Sequence, residues 1–169
     1  RRAALGAGSK VLKTYSYQLI DQDIEEIATL NTDLILLAGG TDGGNRDNII
    51  YNASKLADSS LDTPIIIAGN RNTIPEVAKI LQNANKEIYI TENVMPELEE
   101  LNIEPARGVI REIFLRKLIY AKGLSKVNNI IDGIIMPTPS AVMKAAKLLA
   151  DGTTKTNGLG ELVVIDVGG

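Results

Sequence analysis

The sequence predicts an α/β fold: a parallel sheet built from βα repeats in a layer sandwich, with helices on both faces. Three observations predict it. Short apolar runs recur at Leu34 to Ala38 and Ile65 to Ala68, with a further strand-like run at Glu87 to Thr91. Stretches with helical spacing of apolar residues separate these runs, and a glycine or asparagine closely follows each run. A strand that is apolar at every position is covered on both faces, as in a parallel sheet between helices. Successive βα units then wind with a fixed hand.

Taken in order, Val11 to Tyr17 reads as a first strand, with Lys13, Tyr15 and Tyr17 alternating on one half-exposed or edge face. Asp21 to Leu30 reads as a helix, since its acidic first turn suits the positive helix end and Ile24, Ile27 and Ala28 share a face. Leu34 to Ala38 is the second strand. Asn45 to Ser59 follows as a helix, with Ile49, Ile50, Ala53, Leu56 and Ala57 at helical spacing. Pro64 admits a third strand, Ile65 to Ala68. Thr73 and Glu76 have capping-box spacing and open a helix that turns Val77, Ile80, Leu81 and Ala84 inward. Glu87 to Thr91 is a fourth strand. These repeats describe a Rossmann-like module.

Beyond Met95 the pattern changes. Asn102 to Ala121 reads as one long helix, with Pro105 near its start and Ile110, Ile113, Phe114 and Leu118 on one face. Leu124 to Ile131 reads as a short helix. The run Met136-Pro137-Thr138-Pro139 interrupts, and Thr138 caps a helix through Ala150. Asp151 to Gly160 reads as a polar, glycine-containing loop, and Leu162 to Val167 as a last strand carrying Asp166.

Composition narrows the function. The chain has 169 residues, 44% of them hydrophobic and 23% charged, which suits a globular protein with one sizeable core. Its net charge of -3 and lack of any basic run argue against a nucleic-acid partner. With no histidine and no cysteine, the chain itself holds no zinc-finger site, thiol nucleophile, disulfide, iron–sulfur cluster, Ser-His-Asp triad or histidine ligand to a haem or corrinoid. The apolar runs fall far short of the ~20 residues of a membrane span, and no secretory h-region is present. The expectation is a cytoplasmic protein without a membrane partner. Because the chain opens on Arg1-Arg2 and stops at Gly168-Gly169, it reads as a piece of a longer protein.

In a parallel sheet, ligands bind outside the carboxyl ends of the strands. The residues there form a candidate ligand or partner rim: Gly39, Gly40, Thr41, Asp42, Gly43, Gly44 and Asn45, then Gly69 and Asn70, then Glu92 and Asn93. Glycines let a backbone approach a ligand and offer N–H groups at a helix start. The spacing is neither G-x-G-x-x-G nor a Walker A loop. The plain alternative is a tight βα turn capped by Asn45 or Asp42, with Asn70 and Asn93 as turn residues. Arg46 and Arg71 follow the first two loops as solvated helix-start residues able to meet an anion, and Glu99-Glu100 reads as a solvated acidic patch. At the end of the chain, an Asp in an apolar strand followed by Gly-Gly needs a partner or a task. Asp166, Gly168 and Gly169 can form a phosphate turn, with Asp166 reaching Mg²⁺ through water. An Asp capping a strand-end turn is the alternative.

The run Leu36-Leu37-Ala38-Gly39-Gly40-Thr41-Asp42-Gly43-Gly44-Asn45 resembles the glutamate-mutase-associated MutL family, also called GlmL and distinct from the mismatch-repair protein of the same name. So do Ile67-Ala68-Gly69-Asn70, Thr91-Glu92-Asn93-Val94-Met95-Pro96, Met136-Pro137-Thr138-Pro139 and Asp166-Val167-Gly168-Gly169. The order and spacing agree along nearly the whole chain. The resemblance implies a central piece of an actin/Hsp70/sugar-kinase-like ATPase. It implies three segments: an α/β module at 1–98, a helical segment at 99–157 and the start of a second ATPase lobe at 158–169. Asp166, Gly168 and Gly169 would belong to the second phosphate loop. The complete protein would bind ATP and Mg²⁺ and serve adenosylcobalamin-dependent mutase subunits as a chaperone or reactivating factor, while this piece alone would bind no nucleotide and be inactive. The Gly39–Asn45 loop matches none of the superfamily's nucleotide motifs.

Other readings stay open from the residues alone: a non-catalytic small-ligand module, or a structural scaffold. A cobalamin-binding domain is excluded where it needs an Asp-x-His-x-x-Gly loop, because the histidine is missing.

Overall fold

The computed structural model describes residues 9–121 and 138–165. The chain divides into two units, Arg1–Ile113 and Phe114–Gly169.

The first unit is the expected α/β layer. Helix α1 (Asp21–Thr29) is followed by β1 (Ile35–Leu37), α2 (Asp47–Asp58), β2 (Ile65–Ile67), a 3-10 turn (Arg71–Thr73), α3 (Ile74–Asn83), β3 (Ile88–Ile90) and α4 (Glu104–Ala121). The strands are parallel in the order β1-β2-β3, with Ile35 opposite Ile65 and Ile65 opposite Ile88. Side chains alternate across the sheet. Ile35, Leu37, Ile65, Ile67 and Ile88 face a core with Ile49, Ala53 and Leu56 of α2 and Val77, Ala78 and Leu81 of α3. Leu36, Ile66 and Tyr89 face the other way, against Ile110 and Ile113 of α4. The central strand β2 is covered on both faces, which is why it carries no polar position. The start of α4 therefore belongs to the α/β unit.

Two expectations for this unit change. Val11 to Tyr17 is not a strand. Tyr17 has a φ of +66°, which interrupts an extended run. The chain is held instead by the Asn52 side chain, whose Oδ1 accepts from Leu19 N at 2.8 Å and whose Nδ2 donates to Tyr17 O at 2.8 Å. Lys13 and Tyr15 still share a side: the Lys13 ammonium pairs with Glu26 and sits 5.2 Å from the centre of the Tyr15 ring. Nor does Thr73 form a capping box with Glu76. Its hydroxyl donates to Asn70 O at 2.7 Å, and Glu76 turns outward to Arg46 at 3.2 Å. Thr73 is buried, so its hydroxyl takes the nearest buried carbonyl rather than capping the helix.

In the second unit, α5 (Thr138–Asp151) ends in the expected 151–160 loop, and that loop folds back on the helix. Gly152, Leu159 and Gly160 amides donate to the carbonyls of Leu148, Leu149 and Ala150 at 2.8, 2.9 and 3.1 Å, satisfying the last turn. The final strand does not form across 162–165. These residues join no ladder, and Val163 is 92% exposed. Among the described residues no neighbouring strand lies against them. The short helix expected at Leu124 to Ile131 lies outside the described residues. Among the described residues, no helix is long and apolar enough to cross a membrane.

Candidate functional site

The sequential strand order places the carboxyl ends of β1, β2 and β3 side by side, so the three rim loops meet. Ladder bonds continue past the strands: Asn70 N donates to Gly39 O at 2.9 Å, and Val94 N to Ala68 O at 3.0 Å. The loops come this close because of two glycines. At Gly69 a Cβ would lie 2.7 Å from Gly39 O, and at Gly40 (φ +71°) one would lie 2.1 Å from Asn45 O.

Two asparagines knit the loops together. Asn70 is 0% exposed. Its Oδ1 accepts from Gly43 N at 3.1 Å and Asn72 N at 3.0 Å. Its Nδ2 donates to Gly44 O at 3.2 Å and Asn45 O at 3.3 Å. Asn93 is 3% exposed. Its Nδ2 donates to Gly40 O and to Asp42 Oδ1, both at 2.9 Å, and its Oδ1 accepts from Met95 N at 3.1 Å. A buried amide must satisfy both its ends, and these two do so entirely within the rim.

Asp42 is the only ionised side chain in this network. Its Oδ1 also accepts from Arg71 N at 2.9 Å. Burial opposes its charge, but the Arg71 amide, the Asn93 amide and the Arg71 guanidinium outweigh burial and hold the carboxyl below its ordinary value. Arg46, not Asn45, holds the N-cap position of α2, and Asn45, one residue earlier, accepts from Asn48 N in the first turn at 3.3 Å.

The backbone amides show what the rim can do. Asp42 N donates to Pro96 O at 2.8 Å, Gly43 N to Asn70 Oδ1, and Gly44 N to Thr41 O at 2.9 Å. Three successive amides are thus used inside the protein. An anion-binding nest aims such amides outward. Arg46 pairs with Glu76, and the exposed Arg71 lies beside Asp42. Among the described residues no group of three or more carboxylates could hold a metal ion. A shallow depression of about 400 Å³, lined by Ile27, Asn31, Thr32, Leu61 and Asp62 among others, lies before β1 and β2, at the opposite end of the strands.

The structure therefore brings together Gly39 to Asn45, Asn70 and Asn93, as the strand order required. Glu92 lies outside the network and accepts from Asn102 at 2.8 Å. The candidate phosphate residues Asp166, Gly168 and Gly169 lie outside the described residues. Sequence reasoning missed Pro96, Asn72 and Thr73. Pro96 and Asn72 act through backbone atoms, which leave no residue-type signal, and Thr73 was read as a cap.

Comparison with known proteins agrees with the rim motifs. The chain matches the MutL protein family over residues 1–169. It is 53% identical over 169 residues to Protein MutL of Clostridium tetanomorphum, an alignment that covers 100% of this chain and 37% of that relative. The chain spans little more than a third of that relative's length. No solved structure matches it.

Proposed function

This chain belongs to the MutL family, the glutamate-mutase-associated one, and on that premise we propose that it is part of an ATPase-like accessory protein. The complete protein would be cytoplasmic and would act on the subunits of an adenosylcobalamin-dependent, glutamate-mutase-type enzyme, as a chaperone or reactivating factor. The observation that carries this reading is the match over the whole chain at 53% identity.

Within that protein, the α/β unit is read as a scaffold that presents its rim to a partner rather than as a nucleotide site. The amides of Asp42, Gly43 and Gly44 already have acceptors, and Asp42 adds a negative charge that would repel a phosphate. ATP and Mg²⁺ would bind elsewhere in the complete protein. Asp166 would reach the metal through water, and the Gly168 and Gly169 amides would hold a phosphate.

Calorimetric titration of MgATP into the complete protein tests the reading, followed by addition of purified mutase subunits. Binding that disappears in Asp166→Ala, together with a complex between the protein and the mutase, supports it. Nucleotide binding that survives Asp166→Ala but is lost in Asp42→Ala would move the nucleotide site to the rim. If neither nucleotide nor mutase binds, the scaffold alternative stands.

A further inference from the structure

The connection from β3 to α4 covers residues 91–103, longer than the ~2–6 residues usual between strand and helix. It is well anchored. Asn102 N donates to Val94 O at 3.0 Å, and Asn102 Nδ2 to Glu92 Oε2 at 2.8 Å. Pro96 O, within it, accepts from Asp42 N at 2.8 Å. With its ends joined this way, segment 94–102 is an Ω-loop seated on the glycine-rich rim.

At the tip, Glu100 N donates to Glu97 O at 3.2 Å and closes a turn. Leu98 stands at its apex, 82% exposed, beside Glu99 at φ +67°. Met95 and Leu101, on the same loop, are exposed as well. A group of large apolar side chains left in water beside polar residues marks an interaction surface.

The charge around this patch defines its partner. The loop itself, residues 94–102, carries three exposed glutamates, Glu97, Glu99 and Glu100, and no Lys or Arg. Such a surface repels nucleic acid and anionic lipid. It complements an apolar socket bordered by Lys or Arg, where the apolar centre supplies affinity and the charged border sets approach rate and salt dependence.

We propose that the 94–102 loop is a docking surface for a protein partner presenting an apolar socket rimmed by basic residues. This rests on the functional reading above, under which that partner is a mutase subunit.

The test places a photo-crosslinking residue at position 98 of the complete protein and uses purified mutase subunits as the probe. Two further variants accompany it: Leu98→Asp, and the triple variant Glu97→Gln, Glu99→Gln, Glu100→Gln. The expected result is a cross-link to a mutase peptide containing Lys or Arg. Leu98→Asp should weaken the complex at least tenfold, and the triple variant should weaken it more at low salt than at high salt, with thermal unfolding unchanged in both. If the complex forms but position 98 cross-links to a second copy, to the protein's own chain or to nothing, and Leu98→Asp binds like wild type, the docking surface is overturned and the mutase reading survives. If no complex forms under any condition, the mutase reading falls and this assignment falls with it.

Discussion

Replacing Asn70 with alanine should open the rim. The side chain is wholly buried and makes four hydrogen bonds, to Gly43 N, Asn72 N, Gly44 O and Asn45 O. At about 0.5–1.5 kcal/mol per bond, and with the exposed loop groups regaining water, the expected loss is about 2–4 kcal/mol. With a urea dependence of about 2 kcal/mol per molar, the unfolding midpoint should fall by about 1–2 M. Asn72→Ala is the control, since Asn72 joins the network through its backbone amide, and it should stay within about 0.5 kcal/mol of wild type. Urea titration followed by circular dichroism measures both variants, and hydrogen exchange at the Gly43 and Asn72 amides locates the change. A loss below about 0.5 kcal/mol for Asn70→Ala, with both amides exchanging at wild-type rates, would refute the claim that this side chain holds the loops.

Four further outcomes follow from the same structure. Gly69→Ala should destabilise the protein by more than about 2 kcal/mol, because the added methyl meets the Gly39 backbone at 2.7 and 2.8 Å. Gly108→Ala should have the opposite sign, a gain of about 0.5–1 kcal/mol, because it lies inside α4 with nothing within 4 Å; denaturant midpoints distinguish the two. Asp42 titrates below its ordinary 3.8 when folded, so its contribution to stability is full above that value and is lost as pH falls through the lowered one. Urea midpoints between pH 2.5 and 6 should therefore fall less steeply in Asp42→Asn than in wild type. Burial, the hydrogen bond to Glu26 and the charges of Glu26 and Asp23 push the Tyr15 phenol up to about 12. Its raised value favours the neutral form, so that contribution is present below 10 and is lost as pH rises towards 12. Ultraviolet titration of wild type against Tyr15→Phe should show that the missing group is one that ionises late.

Much of the α/β unit was legible in the sequence because its central strand is buried on both faces. Ile65, Ile66 and Ile67 could be nothing but the centre of a covered sheet, and the apolar spacing of Ile49, Ala53 and Leu56 placed α2. Sequential βα order then places the rim loops together. Val11 to Tyr17 misled because alternation of polar and apolar residues does not supply a ladder partner; the Asn52 amide took that role from a helix more than thirty residues away.

The rim divides along the same line. Glycine, aspartate and asparagine in the right loops were visible in the sequence, as was their likeness to the MutL family. Whether Asn70 and Asn93 reach outward to a ligand or inward to the loops was not, because an amide side chain serves either purpose and burial decides between them. The same holds for Leu98: its residue type suggests a core position, and only its place on an Ω-loop apex leaves it in water. Residue type and periodicity determined which elements form and which loops meet, since those follow from local spacing and apolar burial. Tertiary structure alone decided which hydrogen-bonding groups were already satisfied and which apolar side chains were left uncovered, because both depend on atoms brought together from distant parts of the chain.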